Sequence, residues 1–238
     1  MDDWLNQIHL GDCLNILRQL PENSINLAVI DPPYTGDNKA NSGTRYRQDT
    51  HLTKFDDMSA RIWTPFMRER FLAIFDVLRP GAHFYCFVGQ RMLRETMDLT
   101  EQASFKLNKV LIWDQMSVGG GYAWRNQHDF IVFASKGVAD QVRDRSLSTI
   151  IRAPRVRGKI KKIHPFQKPV IALDALIANG SDEGHTVLDC FAGSGSTLVA
   201  AKMRQRNYIG IEVSPAYCEK ARLRLEKIHE KSSTGEAG

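Results

Sequence analysis

"VLDCFAGSGSTLVAAKMRQRNYIGIEV", residues 187–213, decides the fold. A short apolar run ends in Asp189, turns through Gly193, Ser194 and Gly195, and continues as a helix-forming stretch. A second apolar run, "NYIGIEV", ends its strand pattern at Glu212. Strand, tight turn, helix, strand is the unit from which parallel sheets are built. Glycines at such a turn let the backbone double back and let a ligand come close. The turn lacks the Gly-Lys-Ser/Thr ending of a phosphate-binding loop, and Leu198 stands where a dinucleotide fingerprint needs its third glycine. Glu212 sits where an acid can accept hydrogen bonds from both hydroxyls of a ribose. A nucleoside-containing ligand held without a recognised pyrophosphate fits best; the plainer alternative is a tight structural turn.

Outward from this unit the chain keeps alternating. "NQIHLGD" reads as a strand, "CLNILRQL" as a short helix, and a strand ends at Asp31. A helix is expected from Thr64 to Leu78, stopped by "RPG", followed by the strand "AHFYCFVG" and the helix "QRMLRETMDLTEQ". "NKVLIWDQ" and "DFIVFASKG" are two more strands, joined through "SVGGGYAWRNQH". The helix "QKPVIALDALIANG" precedes the opening stretch, and "SPAYCEKARLRLEKIHEK" closes the chain with Ser214 as N-cap and Pro215 at its first position. Continuously apolar strands separated by helices predict an α/β, doubly wound, mostly parallel sheet covered on both faces. Seven strands are expected, in one domain over residues 1–238. Ligands in such sheets bind beyond the carboxyl ends of the strands. Asp31, Asp189 and Glu212 all stand at such ends.

The strand ending at Asp31 belongs to "LAVIDPPYTG", residues 27–36. Pro32 and Pro33 have no N–H and fixed φ, so pairing stops there and the corner is stiff. Tyr34 is presented just beyond it. A nucleobase against Tyr34 would stack, a contact of about 1–3 kcal/mol per base. The Asp31 carboxylate and the Pro32 carbonyl can both accept hydrogen bonds from an exocyclic amine. Two such acceptors favour a pyramidal nitrogen whose lone pair is free to attack.

Bulk properties set limits on these readings. Hydrophobic residues make up 42% and charged residues 25%, ordinary for a folded domain, and no run is long enough to span a bilayer. "MDDWLNQIHLGDC" has no apolar signal core, so export is not expected. Cys13, Cys86, Cys190 and Cys218 lie far apart in sequence, without metal-ligand spacing or a disulfide framework, and thiols are expected. The net charge is +5. Its excess gathers at residues 143–162, where Arg143, Arg145, Arg152, Arg155, Arg157, Lys159, Lys161 and Lys162 face the single acid Asp144. Such a strip suits a polyanion.

These motifs together resemble the DNA amino-methyltransferases that use S-adenosylmethionine, specifically the beta group, in which the catalytic half precedes the cofactor-binding half. "DPPY" (31–34) resembles their catalytic motif, and "FAGSGST" (191–197) their methionine-binding motif. Glu212 in "IGIEV" stands at the ribose position. "HPFQKP" (164–169) is similar to the motif whose lysine, here Lys168, faces the methionine carboxylate. "GDCLNILRQLP" (11–21) resembles the segment whose acid, here Asp12, reads the cofactor's adenine. The likeness runs from about residue 8 to residue 228. Departures are Cys190 for a common proline, Ser196 for a threonine, Phe166 for a small polar residue, Gln115 for a lysine and Asp129 for a glutamate.

The resemblance implies a Rossmann-like methyltransferase sheet containing an antiparallel strand. Residues 138–163 lie where the family carries its variable target-recognition segment and are expected as an insertion. Residues 35–60, polar, turn-rich and without a clear counterpart in the family, are expected as a mobile loop too long for a plain connector. Catalysis would rest on Asp31, Pro32, Pro33 and Tyr34. S-adenosyl-L-methionine would be held by Asp12, Cys13, Asp31, Lys168, Asp189, Phe191, Ala192, Gly193, Ser194, Gly195, Ser196, Thr197 and Glu212. Double-stranded DNA would be contacted by Arg45, Arg47 and Lys54 in the loop and by Arg152, Arg155, Arg157 and Lys159 in the strip. The target base must leave the duplex to reach the site. Adenine N6 is the expected target, with cytosine N4 as runner-up; glutamine methylation in a protein and a non-catalytic DNA-binding relative fit the motif order or the intact motifs less well. No metal or membrane is implied. A cytoplasmic, nucleoid-associated protein is expected, with a homodimer and a cognate restriction endonuclease as further partners.

Overall fold

The computed structural model describes residues 1–33, 60–119, 124–156 and 167–233. Among these, eight strands form one sheet in the order β1-β8-β7-β2-β3-β5-β4-β6. In chain order these are β1 (Gln7–Leu10), β2 (Ile25–Ile30), β3 (Leu78–Val88), β4 (Lys106–Asp114), β5 (His128–Ser135), β6 (Ile150–Arg152), β7 (Thr186–Asp189) and β8 (Asn207–Glu212). All neighbours are parallel except that β5 runs antiparallel to both β3 and β4. The expectation of a mostly parallel, doubly wound sheet with an antiparallel strand is borne out. The count of seven is corrected to eight. The added strand, β6, has only three residues inside the basic strip, too few for a periodic pattern to show, and it pairs with the outer side of β4.

Six helices among the described residues cover the sheet: α1 (Cys13–Leu17), α2 (Ala60–Val77), α3 (Leu93–Gln102), α4 (Val170–Gly180), α5 (Ser196–Met203) and α6 (Pro215–Ser233). Strand side chains alternate between two cores, as a doubly covered sheet requires. Ala28, Ile30, Phe84, Cys86, Leu188 and Ile209 pack under α1, α2 and α3. Leu27, Val29, Tyr85, Phe87, Val187 and Tyr208 pack under α4, α5 and α6. Helix α2 begins before Thr64 and runs through Pro65, costing one backbone hydrogen bond. Burial of Trp63, Met67, Phe71 and Ile74 on the sheet outweighs that loss.

The connection after β2 leads to a helix on one face, and the one after β7 leads to a helix on the other. These two strands are neighbours. A crevice therefore opens between their carboxyl ends, where ligands bind in open sheets of this kind. Among the described residues no helix is long and apolar enough to cross a membrane.

Candidate active site

The carboxyl ends of β1, β8, β7 and β2 lie side by side, and each delivers an acid to the same edge. In the register, Leu10 pairs with Glu212, Asp189 with Gly210, and Leu188 with Ala28. Asp12, Asp189, Glu212 and Asp31 consequently line one cleft. Of the residues expected to hold the cofactor, all but Gly195 line it as well. Gly195 lies at the start of α5, where its φ of +70° is left-handed and its N–H bonds to the Ala192 carbonyl at 2.7 Å. A side chain there would be strained, and its Cβ would press on Ala221 Cβ at 3.1 Å. The place of the missing third glycine is explained by Gly210 on β8. A Cβ at Gly210 would lie 2.4 Å from Leu198, so the smaller residue sits on the strand instead of the helix.

Glu212 is clamped by backbone donors. The Gly193 N–H donates to Oε2 and the Ser214 N–H to Oε1, both at 2.8 Å. Burial pushes its carboxyl above the ordinary range, opposed by these N–H groups. Asp189 is more deeply placed, at 3% exposure. Burial raises its pKa to about 7, and the charges of Asp31 and Glu212 add to the rise. Bonds from the Thr197 side chain and the Phe191 N–H oppose it. Behind the turn, Arg224 of α6 donates to the Ser194 carbonyl at 3.0 Å and to Ser196 Oγ at 2.9 Å.

At the other side of the cleft, Lys168 Nζ lies 2.5 Å from Asp31 Oδ2. The lysine is buried, and its ammonium also faces the rings of Phe87 at 5.2 Å and Trp113 at 5.7 Å. The corner that carries Asp31 is stiff, because the next two residues are prolines and Trp63 Nε1 donates to the Pro33 carbonyl at 2.7 Å. That bond uses the Pro33 carbonyl for structure. Asp12 caps α1 through the Leu14 N–H at 2.9 Å and pairs with buried Arg70 at 2.5 Å. Arg70 lies over the Phe66 ring with its guanidinium carbon 3.4 Å from the centroid.

The four cysteines, distant in sequence, are not all distant in space. Cys13 and Cys190 both line the cleft; their interaction lowers the Cys13 thiol, while burial, with that interaction, raises the Cys190 thiol. Asp129 and Gln115, two of the departures from the resembled pattern, are bonded at 2.8 Å. Burial raises the Asp129 carboxyl, against the pull of the nearby Lys168 charge. Arg155 donates to Gln115 Oε1. It is half-buried against β4, whereas the Arg152 side chain is 69% exposed beside Asp114. Tyr34, Arg45, Arg47, Lys54, Arg157 and Lys159 lie outside the described residues.

Sequence reasoning missed Trp63, Phe66 and Arg70, which pin or line the site from one face of α2. Their spacing of three and four residues was a usable signal, since it marks one helical face pointing at the strand ends. Nothing local announced Arg224, which acts from 28 residues past Ser196.

The set is amphiphilic in a definite pattern. Carboxylates stand where hydroxyls or an ammonium can bind, a lysine where a carboxylate can bind, and Phe66 and Phe191 offer apolar walls. Comparison with known proteins gives the family. The N6_N4_Mtase family, described as DNA methylase, matches residues 25–223. Type II methyltransferase M.HpaI of Haemophilus parainfluenzae is 27% identical over 91% of this chain and 73% of its own length. Type II methyltransferase M2.MboI of Moraxella bovis is 26% identical over 95% and 90%. Among solved structures, the M1.HpyAVI–SAM complex superposes with a TM-score of 0.68 at 22% identity, covering 92% of this chain and 99% of that one. The cytosine-N4-specific PvuII DNA methyltransferase superposes with a TM-score of 0.72 at 16% identity, covering 96% and 93%. With the match spanning both halves of the cleft, the chain belongs to the N6/N4 DNA methylase family.

Proposed function

We propose that the chain transfers a methyl group from S-adenosyl-L-methionine to the N6 amine of an adenine turned out of duplex DNA. One observation carries this reading: Asp31, with Lys168 at 2.5 Å, shares a cleft with the glycine turn and the two acids Asp189 and Glu212. When bound, S-adenosylmethionine supplies a methyl group activated by its sulfonium charge.

The chain's own residues divide the remaining work. Glu212, oriented by two N–H donors, accepts the ribose hydroxyls. Asp12, steadied by Arg70, reads the cofactor's adenine edge between Phe66 and neighbouring apolar groups. Lys168 has three donors, enough to hold both Asp31 and the methionine carboxylate. Asp189 favours the methionine ammonium. Asp31 and the Pro32 carbonyl accept hydrogen bonds from the target amine, which sharpens its lone pair toward the methyl carbon. This is catalysis by positioning and by acceptors placed where positive charge develops on the amine. In the resembled family an acid at the head of the proline pair leans toward adenine and a serine toward cytosine, and Asp31 supports adenine on that likeness. Arg152, together with the strip beyond it, supplies contacts to phosphates.

The test is Asp31→Ala. Turnover is expected to fall about 100- to 1,000-fold or more. Binding of S-adenosylmethionine, followed by calorimetry, stays measurable but weaker, because Asp31 also lies in the cofactor cleft against Lys168. A variant that keeps a near-normal rate removes Asp31 from the reaction.

A further inference from the structure

The β4–β5 hairpin has a tip that the chemistry above does not use. The two strands end their ladder at Asp114 opposite His128. The paired chain continues beyond it: the Gln115 N–H donates to the Gln127 carbonyl at 2.9 Å and the Gly119 N–H to the Asn126 carbonyl at 2.6 Å. The Asp114 carboxylate braces this extension by accepting from the Met116 N–H at 2.9 Å and from Gln127 Nε2 at 3.0 Å. Met116 is thereby held at a φ of +54°, a left-handed backbone that a methionine rarely adopts. Arg125 Nε donates back across the hairpin to the Gly119 carbonyl at 2.9 Å. The guanidinium of Arg155 also lies close to Gly119, so near that a Cβ there would be 3.3 Å from both of its terminal nitrogens.

This braced extension presents apolar surface to water. Trp124 is 92% exposed, and Met116 and Val118 are exposed on the opposite limb. Three exposed apolar side chains on the two limbs of one hairpin, a tryptophan among them, mark a surface for an occupant. The cations around it choose the occupant's chemistry. Arg125, Arg152 and Arg155 contact the hairpin limbs at Gly119, Asp114 and Gln115, and positive charge beside an exposed flat ring suits stacked bases between phosphates.

Position adds to this. Asp129, five residues from Trp124, interacts electrostatically with Lys168 and Asp31. Trp113, its partner on β4, faces the Lys168 ammonium. Even fully extended, five residues span about 18 Å at most, so Trp124 stays within reach of a duplex whose base occupies the Asp31 cleft.

We infer that Trp124 is a wedge that enters the base stack of duplex DNA beside the target nucleotide, while Arg125 and Arg152 hold the flanking phosphates. It rests on the methyltransferase reading and deepens it. Apolar side chains inserted at base steps are a general means of unstacking a duplex. Trp124 takes the stacking position that the departing base gives up, and so stabilises the extruded state.

The experiment compares two duplexes containing the site found by modification mapping. One is fully paired, and the other carries an abasic position opposite the target base. Trp124→Ala is expected to lower kcat/KM on the paired duplex roughly 10- to 100-fold. Most of that loss disappears on the abasic duplex, where extrusion breaks no pair, and Trp124→Phe recovers most of the rate on the paired one. Thermal midpoint and cofactor affinity are unchanged, because the side chain is exposed. Equal rates for Trp124→Ala and the unmodified chain on paired DNA would overturn the wedge, as would the same fold loss on both duplexes. An unmodified chain that methylates neither duplex would instead overturn the methyltransferase reading, and the wedge with it.

Discussion

Asp189 is a cleft residue whose chemistry the fold alters strongly. Its carboxyl has an ordinary value of 3.8 and is raised to about 7 by burial first, then by the charges of Asp31 and Glu212. The folded value lies above the unfolded one, so the unfolded chain releases this proton earlier as pH rises. Its contribution to stability is therefore fully present below the ordinary carboxylate range and is lost as pH climbs toward 7. A rise of that size corresponds to about 4 kcal/mol at most. Thermal melts of the cofactor-free chain should show a midpoint that falls between about pH 4 and pH 7, and Asp189→Asn should flatten that slope. A midpoint rising over the same interval would contradict this. Lys168→Met makes a second prediction at this scale. Removing the ammonium takes this ion pair from the partly buried Asp31, at a cost of about 1–3 kcal/mol after allowing for the carboxylate's exposure. Calorimetry should also show S-adenosylmethionine bound at least about tenfold more weakly. Unchanged affinity would mean that Lys168 serves Asp31 alone.

Among the elements, the ends of β2, β7 and β8 were legible in sequence because each closes an apolar run with an acid and a turn residue. What was not legible are the ties between elements. The Trp63–Pro33 bond joins positions 30 apart, Arg70–Asp12 positions 58 apart and Lys168–Asp31 positions 137 apart. Propensity and periodicity are local quantities and carry no record of such partners. Strand β6 escaped for a different reason, since three residues at a sheet edge leave no pattern. The α2 tie can be tested directly. Trp63→Phe keeps the packing but leaves the Pro33 carbonyl without this donor, which costs about 1–3 kcal/mol. Because that bond fixes the corner carrying Asp31, kcat should fall by about tenfold while cofactor affinity holds. A loss of affinity with kcat preserved would place Trp63 in the wrong half of the site.

Across the whole molecule, the chain order and the spatial order differ in an informative way. The strand bearing Asp31 comes early in the sequence and the strands bearing Asp189 and Glu212 come late, yet β2 and β7 are neighbours. The crevice between them exists only because helices leave these two strands toward opposite faces. The motifs named candidate residues far apart in the chain; the sheet shows how two stretches 156 residues apart, at Asp31 and Val187, come to border one cleft. Arg152 and Arg155, from the described part of the basic strip, lie beside the β4–β5 hairpin, against Asp114 and Gln115. The measurement that tests this account most directly follows the methyl group. The chain is incubated with duplex DNA and S-adenosylmethionine carrying an isotopic label in its methyl, and the DNA is digested to nucleosides for mass spectrometry. The label is predicted on N6-methyladenine. Label on N4-methylcytosine would contradict the assignment of adenine, and label on a ring carbon, or none in the DNA, would contradict transfer to an amine beside Asp31.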